Sequence, residues 1–209
     1  PMAMNTMPSI MSPSNTSLAF ARVRRTKAPD SRAKKMSAGS WGGSGVMGAA
    51  VVSGSKESGT YCYVKHLAVN NQDSYRDSLY TWMTEQSLRE IYLSAFRRGV
   101  ESGAFTGIMT SYNRIGATWT GGNKALLTNV LRGEWGFKGC VITDYADHHT
   151  YMNADQMLRA GGDLYMDGIM RDGAFVYETA SATFQQDLRR AAKDALYIWL
   201  NARAQNLQY

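Results

Sequence analysis

Apolar residues along this chain follow two alternating rhythms. Short, nearly continuous apolar runs occur at 60–64, 106–110, 139–144 and 163–166, and their length and β-branched or aromatic content predict buried strands. Between and after them the apolar positions recur at helical spacing. Leu79, Trp82, Met83, Leu88, Ile91, Tyr92, Ala95 and Phe96 predict a helix that stops near Gly99. Leu126, Leu127, Val130 and Leu131 predict a second. A third spans 151–159 and meets Gly161-Gly162, a strong stop signal. Ser181 caps a last one, with Phe184, Leu188, Ala191, Ala192, Ala195, Leu196 and Leu200 expected to face inward. A further apolar run at 46–52 reads as the end of a small helix. The order is therefore strand then helix, four times over.

Such alternation implies a parallel sheet with right-handed crossovers, either an open doubly wound sheet or part of a barrel. A nucleotide-binding sheet would carry a glycine-rich phosphate loop, and neither G-x-G-x-x-G nor G-x-x-x-x-G-K-[ST] occurs. The expected fold is α/β: a partial (β/α)8 TIM-type barrel of about four βα units, at 46–209, behind a poorly ordered basic tail at 1–45. Ser37 to Gly45, centred on Gly42-Gly43, reads as the linker.

Charge sharpens that division. Residues 1–45 hold seven Lys/Arg against one acid, whereas the rest of the chain holds sixteen of each sign. The pI of 9.4 therefore belongs to the tail, and nucleic-acid binding by the whole chain loses its main support. An Arg- and Ser-rich, acid-poor leader is compatible with a transit peptide or a nucleic-acid arm, but a solvated tail is the default reading. No apolar run reaches the length of a membrane span and no signal-peptide core is visible, so a cytoplasmic location is favoured. Cys62 and Cys140 lie in separate strand-like runs. With another strand between them they would stand about 9–10 Å apart, too far to bridge. Asp147-His148-His149 invites a metal reading, but the upstream Asp motifs of a metal phosphoesterase are missing, so neither metal nor cofactor is expected.

Polar groups collect where the predicted strands end: Lys65-His66, Ser111-Tyr112-Asn113-Arg114, Asp144-Tyr145 and Asp167. In a parallel α/β architecture those ends share one face, so side chains a hundred residues apart converge. Cations, an amide, phenols and a carboxylate together suit a ligand rich in hydroxyls better than a lipid or a hydride donor. Taken singly each has a plainer explanation, since a strand-end Asp often caps the next helix and a strand-end Lys often reaches for water.

Three segments carry a resemblance. The segment 63–72, YVKHLAVNNQ, resembles the K-H-F-x-x-N-N/D-Q-E stretch of glycoside hydrolase family 3, the β-glucosidase-like enzymes. The segment 107–116, GIMTSYNRIG, resembles that family's M-S-S-Y/F-N-R-I-N/G stretch, and 126–139 resembles the L-R-x-E-W-G-F-x-G run that leads into its nucleophile strand. The match covers roughly 46–205 and makes the chain similar to the C-terminal part of the family's barrel domain.

The resemblance implies retaining hydrolysis of a β-glucoside or oligosaccharide, with Asp144 as nucleophile, Lys65 and His66 binding sugar hydroxyls, and Met109 and Tyr112 lining the same subsite. It places Tyr145 where many members have Trp and matches Arg76 to a family arginine. Lys65 and Arg76 beside Asp144 would favour its charged form. Leu67-Ala68-Val69-Asn70-Asn71 departs from the K-H-F-P-G-H-G of the branch that acts on N-acetylhexosaminides. The family's earlier sugar-binding Asp and its G-R-N-x-E segment are not found, and the acid/base of most members comes from a second domain. A second domain or partner chain is therefore expected to supply that group, and the alternative is a non-catalytic carbohydrate-binding or vestigial fragment. Glu85 and Glu134 sit on predicted helices away from the strand ends and are not candidates.

Overall fold

The computed structural model describes residues 40–146, 151–167 and 179–202. Its frame is a three-stranded parallel sheet in the order β1 (Tyr63–Leu67), β3 (Gly107–Thr110), β6 (Cys140–Ile142), with β3 in the centre. Tyr63 stands opposite Gly107 and Gly107 opposite Cys140. The β1/β3 register shifts between Val64 and Leu67. The fourth run, 163–166, forms only an isolated parallel bridge, Leu164 to Ile142. Backbone bonds from Leu164 N–H to the Val141 carbonyl and from Ala146 N–H to the Met166 carbonyl nonetheless hold it along β6. Cys62 and Cys140 are both free, and β3 lies between their strands.

The core sits between this sheet and the helices beside it. Leu67, Ile108, Leu127 and Leu131 are completely buried and Leu93 and Val141 nearly so, each such side chain contributing about 1.5–3 kcal/mol of burial. Helix α1 (Ser40–Glu57) packs on α3 (Ser94–Glu101), and Phe105 fills the space over Gly99, where a Cβ would come within 2.2 Å of its ring. Leu126, Leu127 and Leu131 come from Ala125–Glu134, predicted as an ordinary helix and wound here as a π-helix. Asn153 caps α4 (Ala154–Ala160) by accepting from Gln156 N–H. Gly161, at φ 112°, closes it in the left-handed region that favours glycine. Ser181 accepts from Phe184 N–H and opens α5 (Ala182–Asn201).

Four expectations need correction. Helix α1 begins at Ser40 and takes in residues 40–45, assigned from sequence to the linker. The helix expected from Leu79 begins only at Glu85: Thr84 caps α2 (Glu85–Ser87) through its side chain, and Tyr80–Thr81 forms β2 instead. Its continuation, Leu88–Tyr92, is a π-turn before α3. The loop after β3 holds an antiparallel hairpin, β4 (Arg114–Ile115) and β5 (Thr118–Trp119), to which β2 adds in parallel. Its two-residue turn has Gly116 at φ 58°, a position where glycine alone is unstrained.

Helix α5, finally, does not bury the stripe its spacing suggests. Phe184, Ala191 and Asp194 face inward, while Leu188, Leu196 and Leu200 are at least half exposed. A buried charge network selects the inner face. Arg132 donates to Asp163 Oδ2 at 2.6 Å and to Asp194 Oδ2 at 2.9 Å, and Arg190 bonds Asp163 Oδ1 and the Leu158 and Gly162 carbonyls. No helix among the described residues is long and apolar enough to cross a membrane.

Candidate active site

The parallel order of β1, β3 and β6 brings three strand ends to one edge: His66 from β1, Tyr112 just past β3, and Asp144 just past β6. His66 Nε2 lies 3.2 Å from Asp144 Oδ2, and both side chains are largely covered. Oδ1 of Asp144 accepts from Tyr145 N–H at 2.9 Å. Oδ2 is buried and, the close approach of His66 aside, makes no hydrogen bond among the described residues. A buried carboxylate oxygen left this way is costly unless a ligand or water completes it.

Around the pair stand charges of both signs. Arg76 pairs with Asp73 at 2.6 Å and lays its guanidinium 4.1 Å from the centre of the Tyr112 ring. Lys65, on β1, is exposed. Burial pushes His66 below its ordinary range, Asp144 and Asp73 pull it back, and Lys65 and Arg76 add to the depression. The imidazole is therefore neutral at neutral pH. Met109 alternates along β3 with the core residues Ile108 and Thr110 and so lies on the opposite face, opposite Ile142 in register. Tyr145 is half-buried and reaches Asp144 through its backbone.

Several supports had no place in the sequence reading. Asn70 Nδ2 stands 3.1 Å from His66 Nδ1. Tyr151 donates to the Tyr112 carbonyl at 2.9 Å, and Arg114 stacks 3.9 Å from the Tyr151 ring centre while bonding the Asp77 carbonyl. Burial pushes the Tyr151 hydroxyl up to about 12, so it remains a donor. Ser111 ties the strand ends together, donating to the Ala68 carbonyl at 2.6 Å and accepting at its own carbonyl from Thr120 and Trp119. Ile115-Gly116-Ala117-Thr118 was the available signal for the hairpin that delivers Trp119 and Thr120. Asp147-His148-His149 lies outside the described residues, and no cluster of three metal-ligating side chains occurs among those described.

Residues 30–175 match the glycosyl hydrolase family 3 N-terminal domain. The chain belongs to glycosyl hydrolase family 3. Among curated proteins it is 38% identical over 128 residues to β-glucosidase BoGH3A of Bacteroides ovatus, covering 61% of this chain and 17% of that protein. It is 32% identical over 158 residues to β-glucosidase B of Emericella nidulans, 74% and 18% of the respective lengths. Among solved structures, a β-glucosidase from Paenibacillus barengoltzii superposes with a TM-score of 0.63 at 36% identity, covering 77% of this chain and 19% of that one. β-Glucosidase 3B from Thermotoga neapolitana, in complex with glucose, gives 0.66 at 29%, with 79% and 24% covered. The chain thus spans less than a quarter of the length of these family 3 relatives.

Glu85 and Glu134 both pair with Arg89, at 2.8 and 2.6 Å, and line a cleft of about 340 Å³ with Leu88 and Val130 that does not include Asp144. Both carboxylates of that cleft are held in ion pairs by Arg89.

Proposed function

We propose that this chain carries the sugar-binding and nucleophilic half of a β-glucosidase-type site, with Asp144 as the nucleophile of a retaining reaction. The observation that carries this reading is the Asp144 carboxylate at the exit of β6, one oxygen held by Tyr145 N–H and the other without a hydrogen-bond partner beside a neutral His66. Oδ2 attacks the anomeric carbon, the glycosidic C–O bond breaks, and a general acid protonates the departing oxygen. Water then hydrolyses the glycosyl ester and restores the carboxylate. Lys65, His66 and Arg76 bind sugar hydroxyls, Tyr112 and Met109 line the glycone subsite, and Tyr145 forms its wall. The three parallel strands and the Leu164 bridge are read as consecutive units of a (β/α)8 barrel, and a second domain or chain is the source of the acid.

The engagement of Glu85 and Glu134 by Arg89 favours a second reading, in which the chain binds sugar without turning it over. The deciding experiment is intact-protein mass spectrometry after incubation with a 2-fluoro-glucosyl fluoride, which needs no acid for departure of fluoride. A glycosyl adduct on Asp144, absent from Asp144→Asn, is the expected result. A folded protein that stays unlabelled would leave only the binding reading.

A further inference from the structure

His66 is held from two sides. Its Nε2 faces a carboxylate oxygen at 3.2 Å and its Nδ1 faces the Asn70 amide at 3.1 Å. We propose that Asn70 is a positioning residue, fixing His66 as the neutral Nε2–H tautomer so that a protonated nitrogen, not a lone pair, stands beside the Asp144 carboxylate. Its value to catalysis rests on the reading of Asp144 as nucleophile, but the tautomer does not.

A carboxylate oxygen has no proton to give, so the ring nitrogen beside it carries one. In a neutral imidazole Nδ1 then presents a lone pair, and only the NH2 side of an amide complements it. If Asn70 presented its oxygen instead, Nδ1 would need a proton. The ring would then either turn a lone pair on Asp144 or become an imidazolium. The charged groups around the ring are Lys65 and Arg76, which oppose a second proton, and Asp73 and Asp144, which favour it; burial adds to the opposition.

Backbone geometry delivers the amide. Val69, buried and β-branched, is held at φ 60°, a conformation such a residue rarely adopts, and Asn71 N–H bonds the Val69 carbonyl in a tight turn centred on Asn70. That turn brings the side chain back to the residue four before it. The consequence for the reaction is that His66 presents a neutral N–H beside the Asp144 carboxylate, 3.2 Å away and not engaged in a hydrogen bond with it, where a sugar hydroxyl can take it up without an ion pair forming.

The test is a long-range 1H–15N spectrum of the uniformly labelled full chain at pH 7.5. Only three histidines are present, and the set that disappears in His66→Gln belongs to His66. The expected wild-type pattern has a protonated Nε2 and a bare Nδ1. Asn70→Asp removes the donor and adds an acceptor, so Nδ1 should gain a proton and the His66 protonation constant should rise at least about tenfold, whereas a purely structural role for Asn70 would leave the tautomer unchanged, the added charge acting on the constant alone. A wild-type proton on Nδ1, or an unaltered tautomer in Asn70→Asp, overturns the proposal. Fluoro-glycoside trapping separates the two readings. The expected tautomer without an adduct sinks the nucleophile and spares Asn70, while an adduct with the opposite tautomer does the reverse.

Discussion

At the scale of single residues, the sequence pointed to His66 and Asp144 but said nothing of how they meet. Their approach to 3.2 Å depends on β3 separating β1 from β6 by one strand on each side. The depressed His66 titration has a consequence for stability. The unfolded ring takes a proton near its ordinary pKa of about 6.5 and the folded one only at lower pH, so the unfolded state binds more protons in between. The contribution of His66 is complete above that value and drains away as pH falls through it towards the folded pKa. Urea midpoints measured between pH 7.5 and 5 should therefore fall more for the wild type than for His66→Gln. Equal slopes would mean that the ring is not held neutral by its site.

At the scale of elements, the three strands of the parallel sheet were legible because each is a short apolar run with a polar exit, and the caps at Ser181 and Gly161 were legible because their chemistry is local. The face of α5 was not, because the spacing of leucines cannot reveal that Arg132, 31 residues before Asp163, must be neutralised. Asp163 is fully buried and takes bonds from Arg132, Arg190 and Val141 N–H. Burial pushes its carboxyl up to about 6, against the pull of those three donors, so it is ionised at pH 7. Asp163→Asn leaves the buried Asp194 to face two covered guanidinium groups at close range, and a loss of about 3–5 kcal/mol is expected in urea denaturation at pH 7. A change under 1 kcal/mol would show that water reaches the network. Leu196→Gln, on the exposed stripe, should leave stability within about 0.5 kcal/mol in the same assay.

At the scale of the whole molecule, the proposed reading of Asp144 as nucleophile and the engagement of Glu85 and Glu134 by Arg89 set the expected behaviour of this chain. Leaving groups that need protonation should be poor substrates. An activated dinitrophenyl glucoside should be turned over about 10²–10⁴-fold faster, relative to an alkyl glucoside, than it would be by an enzyme with its acid in place. Comparable rates on the two substrates would show that a general acid is present in this chain. The sequence by itself determined the alternation of strand and helix, the position of each strand's polar exit, and the motifs of the family, because these are written in neighbouring residues. Only the tertiary structure decided the hairpin beneath Tyr112, the inward charge of α5 and the partner of His66 Nδ1. Those depend on which backbone and side-chain groups distant segments leave unsatisfied, and hydrophobic rhythm carries no record of that.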